Sequence, residues 1–467
     1  MSAYNDRHAR RERWGIGRWF RRQVPERVSL AVLALVTGCL TGLCVFLLKR
    51  VIAFLSGFLT SGFHADSPNW IFLLLPVAGI MLAGAYQRYV LKTEIYHGVN
   101  RLCVSLAKRQ YDLPGFLCYA PMVASTLTLG FGGSAGAEGP IAYTGAAIGS
   151  NVGRCFHATE RTMRYLIACG ASAGIAGIFL APVGGALFAL EVLSVELTVA
   201  GVLAIFTASI VGWMMTYLCM GMRPDVVFES VTPMEPEMIV PVACLGLLCG
   251  LYALYYSEVM TRMGRFYDAM KRPWLKNMLS GMVVALLIFL FPSLYGEGYG
   301  FIEKVLADGG AHILDGTFFV SDRADMTVTL AVAAAVLLAK PWASSSSNSG
   351  GGVAGDFAPT LFAGCVGGFL FAGCANAWFC MHLPLADFAF FGMGAVMAGA
   401  VRAPLMAIFL ATEMAQKSSL LLPVVIAASI SYALVVICRN LSEARGIFTP
   451  HLRKGTFQAI ERREGGR

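Results

Sequence analysis

One carboxylate is set apart by its surroundings. Glu138 is the sole Asp, Glu, Lys or Arg between Leu113 and Gly153, inside "GFGGSAGAEGPIAYTGAAIGS", residues 130–150. Four of the first seven residues of that stretch are glycines, and Pro140 follows two places after the acid. A glycine-rich turn with proline near the first helical turn reads as a helix N-terminus, so "GAEGP" is expected to open a helix at about Glu138. "GDFAP", residues 355–359, has the same form and is expected to open one at about Phe357. Such an end presents unpaired N–H groups and the positive pole of the helix dipole, and glycine lets a ligand approach that backbone. The chemistry on offer is anion binding without a basic side chain. A charged carboxylate beside the site competes with the anion for the same N–H groups, and a protonated one can leave. Its protonation is a contest between burial and the dipole. Glu138 is therefore read as a gate and proton acceptor. The plainer alternatives are an N-cap acid and glycines that only permit close helix packing.

The elements that hold such a site must be membrane helices. Of 467 residues 57% are hydrophobic and 14% charged, against about 25% charged in soluble domains. Mean hydropathy is +0.65. Charge-free apolar spans recur at 28–48, 71–87, 165–190, 197–222, 239–257, 277–296, 388–401 and 418–438. Several reach the ~20 residues that cross a bilayer core, and others are short or broken by Gly and Pro, as tilted or re-entrant helices would be. The chain reads as an all-α polytopic membrane protein. Eight arginines between Arg7 and Arg27, set against Glu12 and Glu26, and an Arg-rich tail ending "ERREGGR" fit cytoplasmic termini better than nucleic-acid binding. Trp14, Trp19 and Phe20 among those arginines suit a helix lying on lipid headgroups. No cleavable signal peptide is expected, and the location expected is the cell (plasma or inner) membrane. The thirteen cysteines form no C-x-x-C, and there is no HExxH, so no metal, cofactor or disulfide framework is expected.

The chain also resembles itself. Gly136, Pro140, Gly145 and Gly149 match Gly355, Pro359, Gly364 and Gly368 at an offset of 219. Gly170, Gly177, Ala181, Pro182 and Glu191 match Gly392, Gly399, Ala403, Pro404 and Glu413 at an offset of 222. Internal duplication in a membrane protein points to a transporter-type fold with its site where the repeats meet. The expected organisation is a basic amphipathic segment (1–27), a first transmembrane repeat (28–222), a second (236–440) and a short cytoplasmic tail (441–467). "ASSSSNSGGGVAG", residues 343–355, has linker composition, yet it lies between apolar segments, where irregular backbone needs protein or a water-filled cavity to satisfy it.

"GAEGP" resembles the G-[RK]-E-G-P signature of the CLC chloride channels and transporters, and "GDFAP" resembles their G-G-x-F-x-P. "GIFLAPVGGALFALEV" and "VRAPLMAIFLATEM" are similar to the segments that follow each motif, and the likeness spans about residues 28–455. It implies a CLC-type inverted repeat of tilted and re-entrant helices, a homodimer with an anion pathway in each subunit, and Glu138 as the gating glutamate. With twelve residues after Gly455, the cytoplasmic nucleotide-binding domains of many relatives are not expected. The implied anion-binding positions are Gly136, Ala137, Gly139, Asp356, Phe357 and Ala358, with His97 and Gly98 in "YHGVN" and Phe448 in "GIFTPHLRKG" where relatives carry hydroxyls. Ala137 replaces the basic residue before the gating acid.

Proton-coupled relatives carry a second acid where this chain has Val192, which resembles the channel branch. Glu191 and Glu413 are read as structural helix-end contacts, and Arg402 as a structural ion-pair partner. Asp356 stands where the fluoride/proton antiporter branch has an acid, and with Glu138 it makes a candidate proton pathway. The functional expectation is transport of chloride or another small monovalent anion by a channel or weakly proton-coupled transporter. Fluoride/proton or chloride/proton antiport is the alternative. A membrane enzyme, or an amino-acid transporter, using Glu138 and His97 finds no catalytic pairing at useful spacing.

Overall fold

A computed structural model describes residues 23–60, 70–95, 98–222, 235–308 and 326–444. Sixteen α-helices occupy these residues, eight in each half of the chain. The first half holds α1 (Glu26–Thr60), α2 (Leu75–Ala85), α3 (Gly98–Ala107), α4 (Ala120–Gly130), α5 (Glu138–Cys155), α6 (Glu160–Phe179), α7 (Pro182–Leu187) and α8 (Val199–Cys219). The second holds α9 (Ile239–Asp268), α10 (Pro273–Leu290), α11 (Tyr299–Asp308), α12 (Met326–Ser349), α13 (Phe357–Phe379), α14 (Leu385–Val401), α15 (Pro404–Ala415) and α16 (Leu421–Ala444). Eight of the described helical segments are long and apolar enough to cross a membrane. At 35 residues α1 extends about 52 Å, well beyond a ~30 Å bilayer core, so it must tilt or project.

The two halves use the same neighbours. In the first, α5 packs on α6, α1 on α8 and α6 on α8; in the second, α13 packs on α14, α9 on α16 and α14 on α16. Glycine sets how close these pairs come. A Cβ on Gly145 would overlap the carbonyl of Gly170, and one on Gly364 the carbonyl of Gly392. A Cβ on Gly38 would fall 2.7 Å from Ala208 O, and one on Gly246 2.7 Å from Ala427 O. In a membrane, helix association rests on such close contact rather than on hydrophobic burial. Several of the glycines that repeat through the sequence therefore serve packing.

Between the halves, each short helix meets its own counterpart, α7 against α15. Leu180 and Arg402 end α6 and α14 in the left-handed conformation, and Pro182 and Pro404 then start the next helices. Glu413 crosses over to accept N–H bonds from Val183 (3.0 Å) and Gly184 (2.8 Å) at the start of α7. Glu191 does the same for Leu405 (3.4 Å) and Met406 (2.8 Å) at the start of α15. Each half thus lends a carboxylate to the exposed helix dipole of the other.

The serine run departs from its linker composition. Residues 343–349 are the buried last turns of α12, and the irregular stretch begins only at Gly350. Several of these buried hydroxyls find partners within the protein. Ser347 Oγ donates to Ala343 O (3.0 Å) and accepts from Ser134 N–H (3.0 Å), while Ser346 shares a 2.9 Å bond with the Tyr267 hydroxyl. The irregular stretch is satisfied by protein, as intramembrane backbone must be. Gly350 O accepts from Ser280 Oγ (3.2 Å), Gly351 O from Gln87 Nε2 (2.9 Å), and Val353 N–H donates to Thr128 Oγ1 (3.1 Å).

Candidate functional site

The loops that precede α5 and α13 touch each other. Gly136 and Gly355, equivalent in the two repeats, exchange both backbone hydrogen bonds, N–H to O at 3.0 and 2.6 Å, as an isolated antiparallel bridge. Antiparallel pairing of equivalent residues is the local form of an inverted repeat. It sets the two helix N-termini facing one another, with Glu138 as the first residue of α5 and Phe357 as the first of α13.

Glu138 spans that gap. Its side chain is 1% exposed, and its Oε1 accepts the N–H groups of Phe357 (2.5 Å) and Ala358 (3.2 Å), two of the unpaired donors of α13. The carboxylate occupies the place where those donors would hold an anion. The glycines around it leave room for it alone. A Cβ on Gly136 would overlap Oε2, and one on Gly355 would come within 2.5 Å of Oε1. Oε2 has no hydrogen-bond partner among the described residues. Gly139 lies against the opposite loop, where a Cβ would meet Gly355 Cα at 3.1 Å.

Gly136, Ala137, Glu138, Gly139, Phe357 and Ala358 thus come together at one point. Asp356 is beside them as the N-cap residue of α13, but its carboxylate turns to the Asn348 amide rather than to Glu138. Gly98 begins α3. His97 and Phe448 lie outside the described residues.

Two further charged residues belong to the site and escaped sequence reading. Lys340, in α12, is fully buried; its Nζ donates to Ser134 Oγ (3.0 Å) and sits 4.5 Å from the centroid of the Phe362 ring. It is within electrostatic reach of both Glu138 and Glu297. Glu297 accepts the N–H of Ala137, the N-cap of α5, at 2.9 Å. The sequence does carry a signal for each. Glu297 is an acid flanked by two glycines, as Glu138 is followed by one, and Lys340 is the one charge in the Met326–Ser349 run.

The comparisons agree with this architecture. A family model described as voltage gated chloride channel matches residues 78–436. A putative chloride channel protein, ClcB-like, of Ralstonia nicotianae is 30% identical over 376 residues, 78% of this chain and 82% of that protein. An H(+)/Cl(-) exchange transporter ClcA of Cronobacter sakazakii is 29% identical over 64% of this chain and 62% of its own length. The fold resembles that of a slow cyanobacterial Cl-/H+ antiporter, with a TM-score of 0.75 at 21% identity, covering 89% of this chain and 95% of that one. It also resembles a CLC-type fluoride/proton antiporter, at 0.70 and 23%, over 87% and 95%. The chain belongs to the voltage-gated chloride channel (CLC) family. It is an integral, multi-pass member of that family.

Proposed function

We propose that this protein carries a small monovalent anion, chloride by default, across the cell membrane through a pathway that Glu138 opens and closes. The observation that carries this reading is the Glu138 carboxylate on the N–H groups of Phe357 and Ala358, where a dehydrated anion would bind. Anion and carboxylate compete for the same donors. A proton on the unpartnered Oε2 cancels the charge that holds the side chain there, and the side chain then leaves the donors to the anion. Gly136, Ala137 and Gly139 would line the path on the α5 side, and Phe357 and Ala358 on the α13 side. His97, Gly98 and Phe448 would line its remainder, with backbone N–H groups doing much of the coordination.

The pathway would lie at the junction of repeats 28–222 and 236–440. Two copies of the chain would pair in lipid, each with its own pathway, and the Arg-rich segments 1–27 and 441–467 would face the cytoplasm. Val192 at the place of the second acid supports a channel or a weakly coupled transporter. Fluoride/proton or chloride/proton antiport is the second reading. Asp356 favours it as a possible proton site, standing beside the gate and bonded to Asn348.

Halide efflux from liposomes carrying the protein, run with chloride and with fluoride under a pH gradient, separates the readings. The first reading predicts chloride flux down its own gradient with little or no proton movement. Uphill proton movement driven by a halide gradient would replace it with the second.

A further inference from the structure

Glu138 is not the only carboxylate at the facing helix ends. Glu297 lies between Gly296 and Gly298, whose φ values of 66° and 88° are left-handed, a conformation glycine adopts without strain. That turn delivers the Glu297 carboxylate to the N–H of Ala137, at the N-terminus of α5. One residue further on, Glu138 sends its own carboxylate to the N-terminus of α13. Each of the two facing N-termini is therefore held by an acid from outside its own helix. The other oxygen of Glu138, Oε2, is buried against Gly136 and has no hydrogen-bond partner among the described residues.

The two acids differ in access. Glu138 is 1% exposed, whereas Glu297 is half-buried and lines a cavity of about 830 Å³ together with Lys49, Arg50, Tyr295 and Tyr299. Around Glu297 stand Glu138 on α5, Lys340 on α12, Lys49 and Arg50 on α1, and the two tyrosines of its own turn. Cations in a cavity wall raise the local concentration of anions. Glu297, in the cavity wall, stands between the cavity and the buried Ala137 N–H that it holds.

We propose that Glu297 is a second, outer gating carboxylate, which holds the N-terminus of α5 against anions entering from the cavity as Glu138 holds that of α13. The proposal rests on the anion-transport reading of Glu138. When Glu297 is protonated or displaced, the Ala137 N–H becomes free next to the place that Glu138 vacates. The two acids then open successive positions from the cavity inward. Lys340, near both, is a counter-charge common to the pair.

Calorimetric titration of sodium chloride and sodium fluoride into the full-length purified protein tests this on the wild type, Glu297→Gln, Glu297→Asp and Glu138→Gln. At about pH 7.5, Glu297→Gln should bind halide roughly two- to tenfold more tightly, because its neutral amide oxygen holds the Ala137 N–H less firmly than the charged carboxylate does and yields it to an anion. Glu297→Asp keeps the charge but is one methylene too short to reach Ala137, so it should share the gain, and it serves alone if the Gln variant fails to fold. On acidification the difference between the wild type and the Glu297 variants should shrink. Wild-type affinity in both Glu297 variants, with Glu138→Gln still altered, would overturn the outer gate and leave the Glu138 reading standing. A gain confined to the Gln variant, or one unchanged on acidification, would also overturn it. Absence of halide binding in every protein would overturn both.

Discussion

A carboxylate that must leave its site on protonation needs neighbours that neither trap it nor fill its place. Gly136 and Gly355 meet that need, since any side chain at either position would collide with the Glu138 carboxylate. At Gly136 the three atoms nearest an added methyl belong to Glu138 itself, a flexible side chain that can swing away. Gly136→Ala should therefore leave the fold intact and drive the carboxylate off the Phe357 and Ala358 N–H groups. Anion flux at neutral pH should rise severalfold and flatten with pH, as read by halide efflux from liposomes. A wild-type pH profile in this variant would mean that the carboxylate does not control access. Glu138, the proposed gate, stood out in the sequence, because a lone acid within a charge-free glycine stretch has few structural uses. Lys340 and Glu297 were not, because their nearness to Glu138 arises only when α12 and the turn before α11 fold against the loop that precedes α5.

At the scale of elements, the short helices α7 and α15 depend on carboxylates from across the repeat boundary. Each of these acids satisfies two N–H groups that have no partner within their helix. Removing one leaves partly buried donors without an acceptor. Glu413→Ala and Glu191→Ala should each lower stability by about 1–3 kcal/mol, seen as a fall of the thermal unfolding midpoint in detergent. The pH dependence of anion flux should stay as in the wild type, since neither acid touches the Glu138 site. An unchanged midpoint would show these bonds to be dispensable. Helix starts at Glu138 and Phe357 were readable from turn chemistry, and the helix-end role of Glu191 and Glu413 from their equivalent places in the two repeats. The end of α12 was not. Its six consecutive polar residues carry the composition of a linker, and only the partners Ser134 and Tyr267, distant in sequence, make a buried helix of them.

Over the whole molecule, the inverted repeat is what brings two backbone helix N-termini to one point. One helix N-terminus offers a half-site. Two such ends, brought face to face by the Gly136–Gly355 bridge, offer convergent donors in a medium without water, where they act most strongly. The duplication was visible as offsets of 219 and 222, and these recur in the structure as matched helix pairs and matched glycine contacts. The sequence could not show how the halves are oriented, because orientation is fixed by packing rather than by residue identity. Protonation of Glu138 should open the pathway. This is tested most directly by measuring halide efflux from liposomes across a range of pH for the wild type and for Glu138→Gln, which mimics the neutral acid. Wild-type flux should rise as pH falls, and Glu138→Gln flux should be high throughout and largely independent of pH. An unchanged pH dependence in Glu138→Gln would contradict this.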